Sequence, residues 1–84
     1  MNYTVLLSRS ARKQLERFSG DTEKRILAKL SELESNPRPF GCKKLRNRDA
    51  WRVRIGDYRV IYEIHDKVLQ VIVVTVGHRR EVYP

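Results

Sequence analysis

The chain opens on a short apolar run, Tyr3–Leu7, whose β-prone residues predict a first strand. The period then changes. Ala11, Leu15 and Phe18 recur at i, i+4 and i+7, one face of a helix that ends near Phe18, with Ser8 and Ser10 as N-cap candidates. Gly20 suits the stop of that helix, and Asp21 suits the cap of the next. The second helix reaches about Asn36 on a stripe of Ile26, Leu27, Leu30 and Leu33, and Pro37 and Pro39 end it. The tight link between the two predicts an antiparallel αα-hairpin.

Beyond a basic loop, Phe40–Arg48, the period drops to two. Ala50–Ile55 and Tyr58–Ile64 are predicted strands joined through Gly56-Asp57, a loop that fits a two-residue hairpin turn. His65-Asp66-Lys67 turns the chain again. Val68–Val76 is a β-branched run with few polar residues, as expected of a central strand covered on both faces. The order βααβββ predicts an α+β fold, a small antiparallel β-sheet packed on an N-terminal αα-hairpin, with residues 1–84 as one domain. Tyr58, Val60, Tyr62 and Ile64 share one strand face and are assigned to the core. Trp51, Val53 and Ile55 likewise leave one face, and Arg52 and Arg54 leave the other. A packed core does not tolerate that many cations, so the arginine face is wet or meant for an anion.

Charge sharpens this reading. Lys and Arg number 18 against 10 Asp and Glu, a net charge of +8. Residues 43–84 carry 10 basic and 5 acidic side chains, net +5, against 8 and 5, net +3, in residues 1–42. Between Lys43 and Arg59, seven bases face only Asp49 and Asp57. A nucleic acid or an acidic protein is the expected partner. Cys42 is the only cysteine, and with His65 and His78 it makes no metal site, so neither disulfide, metal nor cofactor is expected. Tyr3–Leu7 is too short for a signal peptide and no stretch reaches membrane-spanning length; a cytoplasmic protein with no membrane partner is expected.

The last residues bring a second cluster, His78-Arg79-Arg80, with Tyr83 three residues on. Guanidinium groups beside a histidine and a tyrosine are the parts of a metal-free phosphodiester-cleaving site. Arg59 shares a strand face with Glu63, so an ion pair competes with a catalytic role there.

Several segments together resemble the RelE branch of the RelE/ParE superfamily of toxin–antitoxin toxins. They are Lys44-Leu45-Arg46, Trp51-Arg52-Val53-Arg54, Asp57-Tyr58-Arg59-Val60-Ile61-Tyr62 and Gly77-His78-Arg79-Arg80-Glu81-Val82-Tyr83. The resemblance implies messenger RNA cleavage in the ribosomal A site, restrained by an antitoxin. It implies catalytic roles for Arg52, Arg54, Arg59, Arg79 and Tyr83. Lysines are usual at the first two positions in well-known bacterial members. The short spacing to Tyr83 leaves Arg79 and Arg80 competing for one place. The implied RNA- and ribosome-binding residues are Lys43, Lys44, Arg46, Arg48 and Arg80.

Such a reaction needs a base for the 2′-hydroxyl, cations for the dianionic phosphorane, and an acid for the leaving 5′-oxygen. Arginine stays charged and grips phosphate bidentately, but with a pKa above ~12 it is a poor proton carrier. Tyr83 is assigned as the base, Arg79 to the phosphate and leaving group, and His78 as the acid. The expected partners are the ribosome, mRNA and an acidic RelB-like antitoxin, forming a toxin–antitoxin hetero-oligomer. Two other readings compete: a ParE-like gyrase inhibitor and a non-catalytic basic module that binds RNA or protein.

Overall fold

The computed structural model describes residues 2–78. Strand β1 (Thr4–Leu7) leads into α1 (Arg9–Glu16) and α2 (Gly20–Ser35), and β2 (Lys43–Lys44), β3 (Trp51–Ile55), β4 (Tyr58–His65) and β5 (Gln70–His78) follow. The five strands form one sheet in the order β1-β5-β4-β3-β2. The α+β class and the helices packed on one sheet face are as the periodicity predicts.

Ser8 is the cap of α1: its hydroxyl accepts from the Ala11 N–H at 3.0 Å. The second cap differs from expectation. Helix α2 starts at Gly20, whose φ is +59, so Asp21 lies in the first turn, where its charge meets the helix dipole. At the far end the Asn36 N–H closes on Glu32, and the prolines stop the helix. Ala11, Leu15, Ile26, Leu30 and Leu33 are buried, whereas Leu27 of the expected stripe is exposed on its rim.

Four strand expectations are corrected. The sheet is mixed, because β1 pairs with β5 in parallel, Val5 beside Val71 and Leu7 beside Val73. An apolar run carries no mark of its direction, and the intervening helices and strands provide the long connection a parallel pair needs. The basic loop contains β2, which pairs with β3 through Lys43–Arg52 and Lys44–Trp51. The last strand begins at Gln70: Asp66–Val68 is a 3₁₀ turn and Leu69 takes φ +53. β5 is internal but covered on one face only. Val71, Val73 and Val76 are buried, while Ile72, Val74 and Thr75 are half-buried on the open side.

The Gly56-Asp57 link is the expected tight turn, with Ile55 opposite Tyr58 and Gly56 at φ +60. Between β4 and β5 the pairing jumps from Ile61–Thr75 to Tyr62–Val73, so Val74 is an extra residue, a β-bulge. Both ends of α1 satisfy backbone groups beside this bulge. Ser8 donates through its hydroxyl to the Val74 carbonyl at 3.0 Å, and Gln14 Oε1 accepts from the Val76 N–H at 2.7 Å.

The core lies between the helices and Val53, Ile55, Val60, Tyr62, Val71, Val73 and Val76. Tyr62 is fully buried and donates to the Pro37 carbonyl at 2.8 Å; burial pushes its phenol well above the ordinary tyrosine range. No described helix is long and apolar enough to cross a membrane.

Candidate active site

Antiparallel pairing puts opposed residues on the same face of a sheet. The face turned away from the helices therefore carries Lys43 beside Arg52, Arg52 beside Ile61, and Arg54 beside Arg59. Across β4 it continues with Gly77 opposite Arg59 and Thr75 opposite Ile61. The period-2 spacing of Arg52 and Arg54 thus holds, and β4 brings Arg59 to them.

Lys43–Arg52 and Arg54–Arg59 are both cross-strand pairs of like charge. Such pairs destabilise a sheet unless something negative sits over them. Arg59 makes the cost plainer. It is only 7% exposed, Nη1 donates to the Tyr58 carbonyl at 3.3 Å, and Nε is buried with no hydrogen-bond partner. Among the described residues no carboxylate pairs with it. The expected competitor, Glu63, is engaged by Arg48 at 3.7 Å and by His65 at 3.0 Å. A buried guanidinium with spare donors beside a second guanidinium suits a phosphate.

The rest of the expected set separates. His78 is paired with Tyr58, which faces the helices; the rings meet edge to face at 5.7 Å, and Tyr58 meets Phe18 in the same way at 5.1 Å. Strand alternation therefore puts His78 on the face opposite the arginines, with Gly77 on theirs, and does not bring the proposed acid to the cationic face. Lys44 likewise falls on the far side from Lys43 and reaches Asp49 at 3.3 Å. Arg48 is held by Glu63, and Arg46 is exposed on the connecting loop. Arg79, Arg80 and Tyr83 lie outside the described residues.

A cleft of about 250 Å³ opens at the rim of the arginine face, lined by Lys29, Phe40, Gly41, Lys43, Arg52, Val53 and Arg54. Lys29 and Phe40 are additions to the set expected from the sequence. The one signal for Phe40 was an aromatic between Pro39 and Gly41, a setting that exposes it. Away from this face, Asp66 accepts from Arg38 at 2.9 Å and from the Tyr3 hydroxyl at 2.6 Å, and Arg38 also lies 5.2 Å over the Trp51 ring. The Arg38 hydrogen bond, then that from Tyr3, holds the Asp66 carboxyl below its usual range. Among the described residues no three His, Cys, Asp or Glu are grouped to hold a metal ion.

Comparison with known proteins agrees with this architecture. The family model described as the ParE toxin of the type II toxin–antitoxin system, parDE, matches residues 5–83. A chain of the archaeal RelE–RelB complex from Pyrococcus horikoshii OT3 is 30% identical, with 94% of this chain and 97% of that one covered and a TM-score of 0.83. A chain of the intact E. coli RelBE toxin–antitoxin complex is 25% identical over 90% of this chain and 95% of that one, TM-score 0.80. A chain of the RelBE2 complex of Mycobacterium tuberculosis is 30% identical over 94% and 100%, TM-score 0.69. No curated protein matches the sequence. With residues 5–83 matched by the family model and 94% of the chain covered by the Pyrococcus structure, the chain belongs to the RelE/ParE superfamily of type II toxin–antitoxin toxins, on its RelE branch.

Proposed function

We propose that the chain is a ribosome-dependent endoribonuclease that cuts mRNA in the A site and so stops translation. The 2′-hydroxyl of the substrate attacks the adjacent phosphorus, the 5′-oxygen leaves, and the products are a 2′,3′-cyclic phosphate and a 5′-hydroxyl end. DNA lacks the attacking group and is not cut. Arg52, Arg54 and Arg59 stabilise the charge that builds on the phosphorane. Tyr83 takes the 2′-hydroxyl proton, and Arg79 or Arg80 acts on the leaving side. His78, on the opposite face, has no support as the acid in the described geometry. Lys43, Lys44, Arg46 and Arg48 contact the ribosome or flanking phosphates.

The observation that carries this reading is Arg59, nine-tenths buried beside Arg54 with an unpartnered Nε. Holding two guanidinium groups together at that cost makes sense where a dianion completes them. The family also contains toxins that inhibit gyrase and cut nothing, and the family-model match keeps that second reading in play. Primer extension on mRNA stalled on ribosomes, beside a gyrase supercoiling assay, separates the two.

The antitoxin we propose is RelB-like and acidic, matching the net charge of +8 and the RelE–RelB complexes among similar structures. It would be a segment laid along the helices or the sheet, blocking the toxin in a hetero-oligomer in the cytoplasm.

A further inference from the structure

Pro39–Cys42 is a tight turn. The Cys42 N–H donates to the Pro39 carbonyl at 3.0 Å, and Gly41, third in the turn, takes φ +92. A positive φ at that place defines a type II turn and calls for glycine. Pro37 and Pro39 are buried and anchor the segment. Phe40 occupies the corner, with a relative exposure of 103%. A single exposed apolar side chain is ordinary on a protein surface. Phe40, however, lines the 250 Å³ cleft together with Lys29, Lys43, Arg52 and Arg54, and no acidic residue lines it. Lys29 has a carboxylate neighbour, Glu32, at 2.8 Å; Lys43 and Arg54 bridge to none among the described residues. A rigidly presented aromatic beside a cationic cleft is the arrangement that holds single-stranded nucleic acid, where a base stacks on the ring and cations follow the backbone.

We infer that this cleft is a nucleotide subsite for single-stranded RNA, with one base stacked on Phe40 and its phosphate held by Lys43 and Arg54. The inference rests on the RNA-cleaving reading and extends it to the rim of the site. The cleft is continuous with the arginine face through Arg52 and Arg54, so a strand crossing that face leaves over Phe40. Its volume suits one nucleotide. An amphipathic helix, about 10–12 Å across, needs a broader groove, which argues against an acidic helix as the occupant. Phe40 is thus a positioning residue: it fixes the register of the strand and carries out no proton transfer.

The test is fluorescence anisotropy of the full chain with a labelled 2′-O-methyl oligoadenylate, which cannot be cut, and with the same backbone lacking its bases. Phe40→Leu should bind the oligoadenylate about tenfold more weakly, the loss of one stacked base, while Phe40→Tyr stays within about twofold of the parent. The parent should bind the base-free backbone about as weakly as Phe40→Leu binds the intact one. Phe40 is fully exposed, so both variants should melt with the parent. Three results would overturn the subsite: Phe40→Leu binding like the parent, no discrimination against the base-free backbone, or tighter Phe40-dependent binding of a Glu-rich peptide. Ribosomal cutting is scored separately. Phe40-dependent binding by a chain that cuts nothing would remove the nuclease reading and leave the subsite. Cutting together with Phe40-independent binding would do the reverse.

Discussion

In the proposed function, Arg59 concentrates the conflict between stability and activity in one side chain. Its guanidinium is nine-tenths buried, beside a second arginine, with a donor unused. An apolar side chain of similar length relieves that cost. Arg59→Met should raise the thermal midpoint by about 4–8 °C, the equivalent of about 1 kcal/mol in a domain this small, while abolishing cleavage. Differential scanning calorimetry reads the first; a midpoint below the parent's would show that Arg59 is satisfied where it lies. Tyr62 is the opposite case, a buried hydroxyl fully used. Tyr62→Phe leaves the Pro37 carbonyl unpaired and should cost about 1–3 kcal/mol in urea unfolding. Asp66 sets a pH window. Its carboxyl titrates lower when folded, through Arg38 and then Tyr3, so its contribution is present above the unfolded value of about 3.9 and fades as the pH falls through the folded one. The unfolding midpoint should drop on acidification below pH ~4, and drop less in Asp66→Asn. The arginine face was readable from period-2 spacing alone. The burial of Arg59 was not, because the pattern of a single strand cannot say which neighbours close over a side chain. Nor was the face of His78, whose parity is settled by strand pairing.

At the scale of elements, the β-bulge at Val74 fixes what the end of β5 presents. One residue more or fewer would exchange Gly77 and His78 between faces. Helix α1 holds the bulge through Ser8 and Gln14, so a helix far from the arginines determines their surroundings. Gln14→Leu strips the Val76 N–H of its partner and should cost about 1–3 kcal/mol. Hydrogen exchange at Val76 should speed up more than at Val60, which pairs within the sheet; equal changes at both would mean simple global destabilisation. The elements with local chemical signals were readable: the Ser8 cap, the proline stop after α2, and the Gly56-Asp57 turn. Those decided by tertiary pairing were not. Two residues of β2 are too short for a period, the direction of β1 depends on its neighbour, and the bulge depends on α1. Leu69 in a left-handed conformation has no residue-type signal, since glycine or asparagine is usual there.

At the scale of the whole molecule, the charge of +8 is divided as +3 and +5 between the two halves of the chain, and four of its bases, Lys43, Arg52, Arg54 and Arg59, share one sheet face. A field of one sign speeds encounter with polyanions and makes it sensitive to salt. Association with an acidic antitoxin should therefore slow steeply as ionic strength rises, while dissociation changes little; stopped-flow traces indifferent to salt would contradict this steering. The fold class and the family were readable from the sequence because they rest on patterns spread over the entire chain. The chemistry rests on a few contacts, and one measurement addresses it most directly. Primer extension is run on a defined mRNA held on 70S ribosomes, with the full chain and with Arg59→Met. If Arg59 stabilises the phosphorane, the parent makes sharp A-site cuts and the variant none, although the variant is folded and at least as stable. Cuts of equal strength from both, or no cuts from a folded parent that blocks gyrase supercoiling, would contradict it.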